Sequence, residues 1–552
     1  MVRGKRKACS KPDATSKVAV IVCGCGGDLL VESVKANPDV GPVTTVAYPG
    51  SKADIEKIGA AFARRKIDRV VVAGCSERLF GRFYRAELAR FGIHPSLVDF
   101  ADMRDLSGVA RQKSRAAAIQ NAARIVATAV ARLAGAAMVD RIETAVLPVC
   151  AVIGGGVAGI SAAIALAVRG VKVVLIEKRE GLGGLVGDLN VVYPAYLPSP
   201  EFVEAKRRDL AAAGVDVLTG SEPVAVRGHV GDFEIELAGG AKVKAGAIVV
   251  ATGASLLIPE GLFGFEVNKR VVTQMDLEGV LRRGEDPGRN IVMIQCAGSR
   301  NEAHPYCSRV CCTASVVNTI VIKQKFPNAK ITVLSRGFAE YAGDLDRARQ
   351  MGVEIIRYKP ERPPVVGEKT VEVYDEISEM EARIPYDLVV LAVPMVPSES
   401  TTNLAQMLKM PTDKFGFMIE PHLKVRPEEF APRGIFVAGC AHWPATINES
   451  IVQAYSAASR AFDLIHAGRV VREALVANLE KDLCRGCGRC SEACQHGAID
   501  LVAAEDGLKR AELVPIQCTG CGVCVSVCPS GAASLAYTSS DTDRVIAAIR
   551  GA

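Results

Sequence analysis

Aromatic side chains are scarce in this sequence, at 5% of 552 residues with a single tryptophan. Charge of one sign is scarce too: the formal net charge is +6, and part of it sits in Lys5, Arg6 and Lys7 near the start. No basic stripe interleaved with aromatics remains elsewhere, which sets nucleic acid aside as a partner. The N-terminus lacks an apolar core followed by a small-residue cleavage site, so no secretory signal is expected and a cytoplasmic location is. Low-complexity linkers are lacking as well. One charge-free run, TAVLPVCAVIGGGVAGISAAIALAV (Thr144–Val168), has the length of a membrane span. Gly154, Gly155, Gly156 and Gly159 interrupt it, and Glu177 and Lys178 follow soon after. Strand, tight turn and helix account for it better, and no direct membrane insertion is expected.

What is abundant is Ala, Val, Gly and Ile, within a hydrophobic fraction of 49%. That is the texture of parallel sheets covered by helices, in a chain long enough for several domains of roughly 100–200 residues. The 18 cysteines are many for a reducing compartment, and there they indicate metal or redox chemistry instead of a disulfide framework. Strand and helix patterns divide the chain. A basic, disordered tail is expected over 1–17 and an N-terminal α/β domain over 18–140. A dinucleotide domain would take 141–270 and 430–468, a second α/β unit 271–429, and a cysteine-rich segment 469–552.

Gly154-Gly155-Gly156-Val157-Ala158-Gly159 fits G-x-G-x-x-G between an expected strand and helix, and Glu177 ends the next strand with Lys178 beside it. The first glycine permits the turn, the second lets backbone approach a pyrophosphate, and the third packs helix on strand. The helix start then attracts the phosphates, and Glu177 is placed to accept from ribose hydroxyls. Gly183 and Gly184 follow, then Thr252-Gly253, and much later Gly439-Cys440. This order resembles the two-dinucleotide flavoproteins of the thioredoxin reductase type, which implies FAD at these residues. Where those proteins carry an Asp after the late glycine, this chain has Cys440. A flavin-side thiol and a merely small buried residue are both open readings of it.

Cys484-x2-Cys487-x2-Cys490-x3-Cys494 is followed by Cys518-x2-Cys521-x2-Cys524-x3-Cys528-Pro529. This doubled run is the bacterial two-cluster ferredoxin pattern, in which the fourth Cys of each run ligates the other cluster. One cubane is expected on Cys484, Cys487, Cys490 and Cys528, the other on Cys518, Cys521, Cys524 and Cys494. A pair of zinc sites would need neither the crossed repeat nor the trailing Cys-Pro.

The second α/β unit opens with the strand pattern IVMIQ (Ile291–Gln295), where a nicotinamide enzyme would continue G-x-G-x-x-G/A. The chain instead reads Cys296-Ala297-Gly298-Ser299-Arg300. One glycine does not supply the turn and the close approach, so no nicotinamide site is expected here. In its place stands Cys296-x10-Cys307-x3-Cys311-Cys312. Four thiolates suit a third [4Fe–4S] cluster, with four-Cys zinc as the rival and buried free thiols as the plain alternative.

CAGSRNEAHPYCSRVCC, the glycine fingerprint, GIFVAGCAHWPATINESIVQAYSAASRA (Gly434–Ala461) and the ferredoxin tail closely resemble the HdrA-like iron–sulfur flavoproteins of heterodisulfide reductase. So do CGCGG (Cys23–Gly27) and VVVAGCSERLF (Val70–Phe80). The resemblance spans nearly the whole chain. It implies an α/β, thioredoxin reductase-like flavoprotein with two dinucleotide-type domains, an N-terminal α/β domain and a two-cluster (α+β) ferredoxin domain. It also implies one FAD and an oxidoreductase that splits or merges electron pairs within a complex. The partners implied are heterodisulfide reductase B- and C-like subunits, with an electron-input protein linked to hydrogenase, formate dehydrogenase or ferredoxin, around a homodimeric core. Two departures stand out. No extra ferredoxin insert lies between Gly184 and Gly253. In the first unit Cys23, Cys25 and Cys75 are one thiol short of a fourth cluster, with Tyr48-Pro49-Gly50 and Leu106 near where others would lie and Cys9 on the tail.

The expected function is therefore electron transfer between two-electron flavin chemistry and one-electron clusters, by bifurcation or confurcation. No Ser/His/Asp or paired-carboxylate catalytic set is called for. A stand-alone NAD(P)H-dependent disulfide reductase would need a C-x-x-C opposite the flavin and an intact second glycine loop. The related flavin and iron–sulfur component of a quinone-interacting membrane-bound oxidoreductase complex shares every motif and differs only in partners.

Overall fold

The computed structural model describes residues 17–24, 27–74, 76–103, 114–136, 138–139, 141–338, 344–422, 424, 427–430, 432–473, 476–504, 506–535, 545–546 and 549. The expected tail (all but residue 17), Cys9, Cys25, Cys75 and Leu106 lie outside the described residues. The chain falls into two compact units, one of 1–142, 472–493 and 501–552, the other of 143–471 and 494–500.

In the first unit, four parallel strands run in the order Val40–Val46, Val18–Cys23, Val70–Ala73, Val98–Ala101. All of Val18–Cys23 is buried, as a strand covered on both faces must be. Val18, Val20 and Val22 meet Val126, Val130 and Leu133 of the Arg115–Ala134 helix, while Ile21 meets Phe62, Tyr84 and Leu88 on the other face. Ser114 caps that helix by accepting from Ala117 N–H (3.1 Å), and buried Arg69 closes its far end by donating to Leu133 O (2.9 Å). The ferredoxin segment contributes an antiparallel pair, Ala477–Leu479 with Ala533–Leu535.

The second unit holds two five-stranded parallel sheets. The first runs Asp216–Leu218, Lys172–Ile176, Val149–Ile153, Ala247–Val250, Ile435–Val437. The Val157–Ala167 and Ile447–His466 helices pack together and against it. An antiparallel layer, Pro223–His229, Asp232–Leu237 and Lys242–Ala245, contributes Phe233, Ile235 and Val243 to a core shared with Ile153, Ile248 and Ile435. The second sheet, Val271–Thr273, Leu388–Leu391, Asn290–Ile294, Lys330–Ser335, Glu354–Arg357, lies in the chain between Val250 and Ile435 of the first. The charge-free run resolves into strand Val149–Ile153, a turn and helix Val157–Ala167. Among the described residues no helix is long and apolar enough to cross a membrane.

Candidate functional site: a dinucleotide cradle and two cysteine sets

The turn after Val149–Ile153 is shaped by its glycines, each differently. Gly154 has φ +112°, and a Cβ there would stand 2.2 Å from Ala251 O. A Cβ on Gly159 would stand 1.8 Å from Gly154 O, so this glycine lets the helix close on the strand end. Gly156 is the exception, since a Cβ there would meet only Gly184 Cα at 4.0 Å. It is also the N-cap of the Val157–Ala167 helix and makes no side-chain cap bond, leaving the helix's first N–H groups facing that open space. Glu177, buried, accepts from Gly155 N–H (2.5 Å) and Arg179 N–H (2.7 Å), which fixes its carboxylate beside the turn with acceptor capacity to spare. Gly183 N–H donates to Gly155 O (2.8 Å), drawing Gly183 and Gly184 against the fingerprint. An open space lined by glycine backbone and an uncapped helix start fits a pyrophosphate, and the fixed acid fits a ribose.

The other expected cofactor residues are placed as follows. Thr252 Oγ1 hydrogen-bonds Thr401 Oγ1 (2.8 Å), which also donates to Gly253 O (2.9 Å) and pins that turn. Gly439, at φ +74°, lies against the first helical turn, where a Cβ would meet Ala158 Cβ at 2.9 Å, and its N–H donates to Gln453 Oε1 (2.9 Å). Lys178 is turned outward, its ammonium on exposed Ser400 Oγ (2.8 Å). Cys440 Sγ lies 3.4 Å from Ala445 O, and burial pushes its thiol up.

In the second sheet the turn after Asn290–Ile294 takes another course. Cys296, Gly298 and Arg300 have φ of +59°, +84° and +54°. The space beside Gly298 is filled, since a Cβ there would stand 2.5 Å from Leu257 Cδ2. Cys311 and Cys312 lie in the first turn of the Val310–Lys325 helix, where the helix dipole favours negative charge. Cys307 Sγ accepts from Arg309 N–H (3.3 Å). The structure brings all four thiols together. The Cys311 thiol is raised well above its ordinary value, first by its hydrogen bond with Cys312, then by burial, then by the charges of Cys312, Cys296 and Cys307. Four mutually repelling thiols in a buried pocket are costly as thiolates until a cation centre neutralises them, which is the donor chemistry of a metal cluster.

Sequence reasoning missed what holds this set in place. Arg309, at φ +63°, forks onto Glu449 (2.9 and 3.0 Å) and donates to Pro444 O (2.8 Å). Glu449 belongs to the capping box of the Ile447–His466 helix, with Thr446 N–H donating to it (2.8 Å). The cysteine set is thereby tied to the loop that follows Cys440. An arginine between two cysteines was the only sequence signal, and its acid lies 140 residues away.

In the ferredoxin segment Cys484, Cys487, Cys490 and Cys528 line one pocket of about 390 Å³ with Leu479, Leu501 and Ala533. The fourth Cys of the second run therefore joins three of the first. Burial pushes the Cys490 thiol up. At Cys528 burial is outweighed by hydrogen bonds from Ser530 and neighbouring backbone N–H groups, which hold the thiol below its ordinary value. Cys484 Sγ accepts from Ala511 N–H and Cys518 Sγ from Ala477 N–H, both at 3.4 Å. Cys494 Sγ accepts from Ala498 N–H (3.3 Å), Cys524 is buried and Cys521 exposed. Such N–H···S bonds are among the levers that set cluster potentials. In the first unit Cys23 ends its strand buried, 3.9 Å from Tyr84 Oη.

An uncapped helix over empty glycine-lined space, a second dinucleotide-type sheet and a ferredoxin tail define a flavin- and iron–sulfur-dependent oxidoreductase of thioredoxin reductase-like fold. Residues 148–295 match the pyridine nucleotide-disulphide oxidoreductase family, stopping one residue short of Cys296, and 483–532 match the 4Fe-4S dicluster domain. The chain is 27% identical to the A 2 iron-sulfur subunit of the CoB--CoM heterodisulfide reductase of Methanopyrus kandleri, over 89% of this chain and 92% of that protein. It is 28% identical to the A-type component of the H(2):CoB-CoM heterodisulfide,ferredoxin reductase of Methanothermobacter marburgensis, over 91% and 92%. A crystal structure of Lactococcus lactis thioredoxin reductase aligns with TM-score 0.42 and 17% identity, over 58% of this chain and 99% of its own. The chain belongs to the HdrA-like family of heterodisulfide reductase proteins.

Proposed function

We propose that the protein is the electron-distributing component of a cytoplasmic heterodisulfide reductase-like complex, holding one FAD and three [4Fe–4S] clusters and bifurcating or confurcating electrons. The observation that carries this is the Cys296, Cys307, Cys311 and Cys312 set, built on the turn where a nicotinamide would bind and tied by Arg309 to the flavin-side helix. Leu257 fills the space beside Gly298 that a pyrophosphate would need. FAD would be held by Gly154, Gly156, Gly159, Glu177, Gly183, Gly184 and Thr252, and would supply the conversion between electron pairs and single electrons. The chain's own part is to bind and orient it, to exclude water with the buried loop Gly439–His442, and to hold one-electron centres at fixed positions. Relatives named for ferredoxin and for the CoB-CoM heterodisulfide suggest partners of those kinds, B- and C-like subunits among them, around a homodimeric core.

Anaerobically purified protein should carry about twelve irons and one FAD, at four irons per cubane. About eight irons would refute the Cys296 centre. About sixteen would place a further cluster at Cys23, Cys25 and Cys75.

A further inference from the structure

Arg336 immediately follows the Lys330–Ser335 strand, the place from which an arginine reaches a 2′-phosphate in dinucleotide enzymes. Here its guanidinium is turned back onto the cysteine loop. It donates to Ser299 O (3.2 Å) and Arg300 O (3.0 Å), and Arg300 returns a bond to Arg336 O (3.2 Å). Ser299 N–H in turn donates to Cys296 O (3.2 Å), closing the loop on the first thiol. Both guanidiniums thus spend these bonds on backbone carbonyls, which leaves their charge uncancelled. Arg336 Nε is buried without a partner. Burial raises the Cys296 thiol, and the charges of Arg300 and Arg336 pull against that rise.

We propose that Arg300 and Arg336 are positioning residues that raise the reduction potential of the cluster held by Cys296, Cys307, Cys311 and Cys312. The inference rests on that cluster being present. A cluster gains one negative charge on reduction, so a fixed positive charge beside it favours the reduced form, and the more so where little water screens the pair. The two arginines do for a bound anionic centre what one would do for a nucleotide phosphate.

The test is a redox titration of the full-length holoprotein followed by low-temperature paramagnetic resonance, with iron and FAD measured on each sample. The signal of this cluster is the one missing from Cys311→Ala. In Arg336→Gln and Arg300→Gln its midpoint should move to more negative potential at unchanged iron and flavin, while the ferredoxin-segment signals stay in place. Arg336→Lys and Arg300→Lys, which keep the charge, should restore most of the wild-type value. Full iron with an unmoved midpoint in both Gln variants overturns the proposal, as do Lys variants that shift as far as Gln. If Arg336→Gln sheds four irons, Arg300→Gln and the Lys variants decide by the same criteria. Iron loss in every variant makes the arginines structural and also overturns it. Saturable NADPH binding by wild type that Arg336→Gln abolishes would assign the pair to a phosphate instead. A wild type with only eight irons is a different failure, that of the cluster reading itself.

Discussion

Replacing the fingerprint glycines by alanine one at a time separates chain packing from cofactor binding. At Gly159 the new Cβ would stand 1.8 Å from Gly154 O, and that carbonyl would have to retreat by more than about 1 Å. The carbonyl belongs to the turn between a fully buried strand and its helix, so relief means moving backbone, at a cost of about 3 kcal/mol. At Gly156 φ is −76° and ψ −179°, ordinary for alanine, and the nearest atom to a Cβ is 4.0 Å away. Losing a glycine N-cap costs a few tenths to about 1 kcal/mol, which the lower entropy of the unfolded chain offsets by about 0.4–1 kcal/mol. Gly156→Ala should therefore keep wild-type stability within about 1 kcal/mol. Its methyl would nonetheless occupy the space over the uncapped helix start, so FAD content should collapse. The assay is urea unfolding of the flavin-free proteins, which removes the stabilisation that bound ligand would add, together with FAD quantitation after reconstitution. Gly156→Ala that retains stoichiometric FAD would refute the assignment of that space. Gly159→Ala as stable as wild type would refute the packing argument.

Cys311→Ala leaves three thiols in its set and should lose about four irons while keeping FAD, with electron flow between flavin and partners largely abolished; full turnover without the cluster would make the site structural. NADH and NADPH should leave the flavin oxidised in the isolated protein, because Leu257 stands beside Gly298; rapid bleaching of flavin absorbance by either would contradict this. His442 and Glu420 are buried and hydrogen-bonded to each other, and burial lowers the His442 pKa. The unfolded chain then binds a proton near pH 6.5 that the folded chain refuses, so this residue's contribution is complete above that pH and is lost as pH falls through it. His442→Gln should flatten the fall in urea midpoint between about pH 7 and 5, and parallel curves for the two proteins would reject the reasoning.

What the sequence made legible was whatever depends on residues close together in the chain. Gly154 to Gly159 sit where strand, turn and helix were expected, and the strands around Ile291, Ile331 and Leu388 end within a residue or two of their patterns. The crossed ferredoxin repeat could be read because its spacing is itself the ligand geometry, and Cys528 does line the pocket of the first run. The antiparallel layer Pro223–Ala245 was missed because its short strands alternate buried and exposed positions without a long apolar run. Lys178 carried a motif position but points to Ser400, since a side chain's direction is decided by tertiary neighbours. Arg309 with Glu449, Gly298 with Leu257, and His442 with Glu420 are pairs between distant segments. Nothing local announces them.

The two sheets of the larger unit present the same local problem, a buried strand ending in a tight turn before a helix, and answer it in opposite ways. At Gly156 side chains are withheld and the helix start is left open, which suits a large anionic cofactor. At Gly298 the space is closed by Leu257, and thiols occupy the helix start. The Arg309 fork follows from that second choice. A nicotinamide must enter and leave, so a domain that presents one gains from a cleft that opens. A covalently held centre gains from a constant, short separation, because single electrons cross to the flavin without either partner departing. An ion pair whose side chains are about three-quarters and two-thirds buried, made by a residue between two of the cysteines and by the capping acid of the flavin-side helix, supplies that constancy. Arg309→Met should then loosen the coupling without removing a thiol. Flavin and iron should stay near wild type, while single-turnover electron transfer between them slows. An unchanged rate would show that the fork only braces the fold.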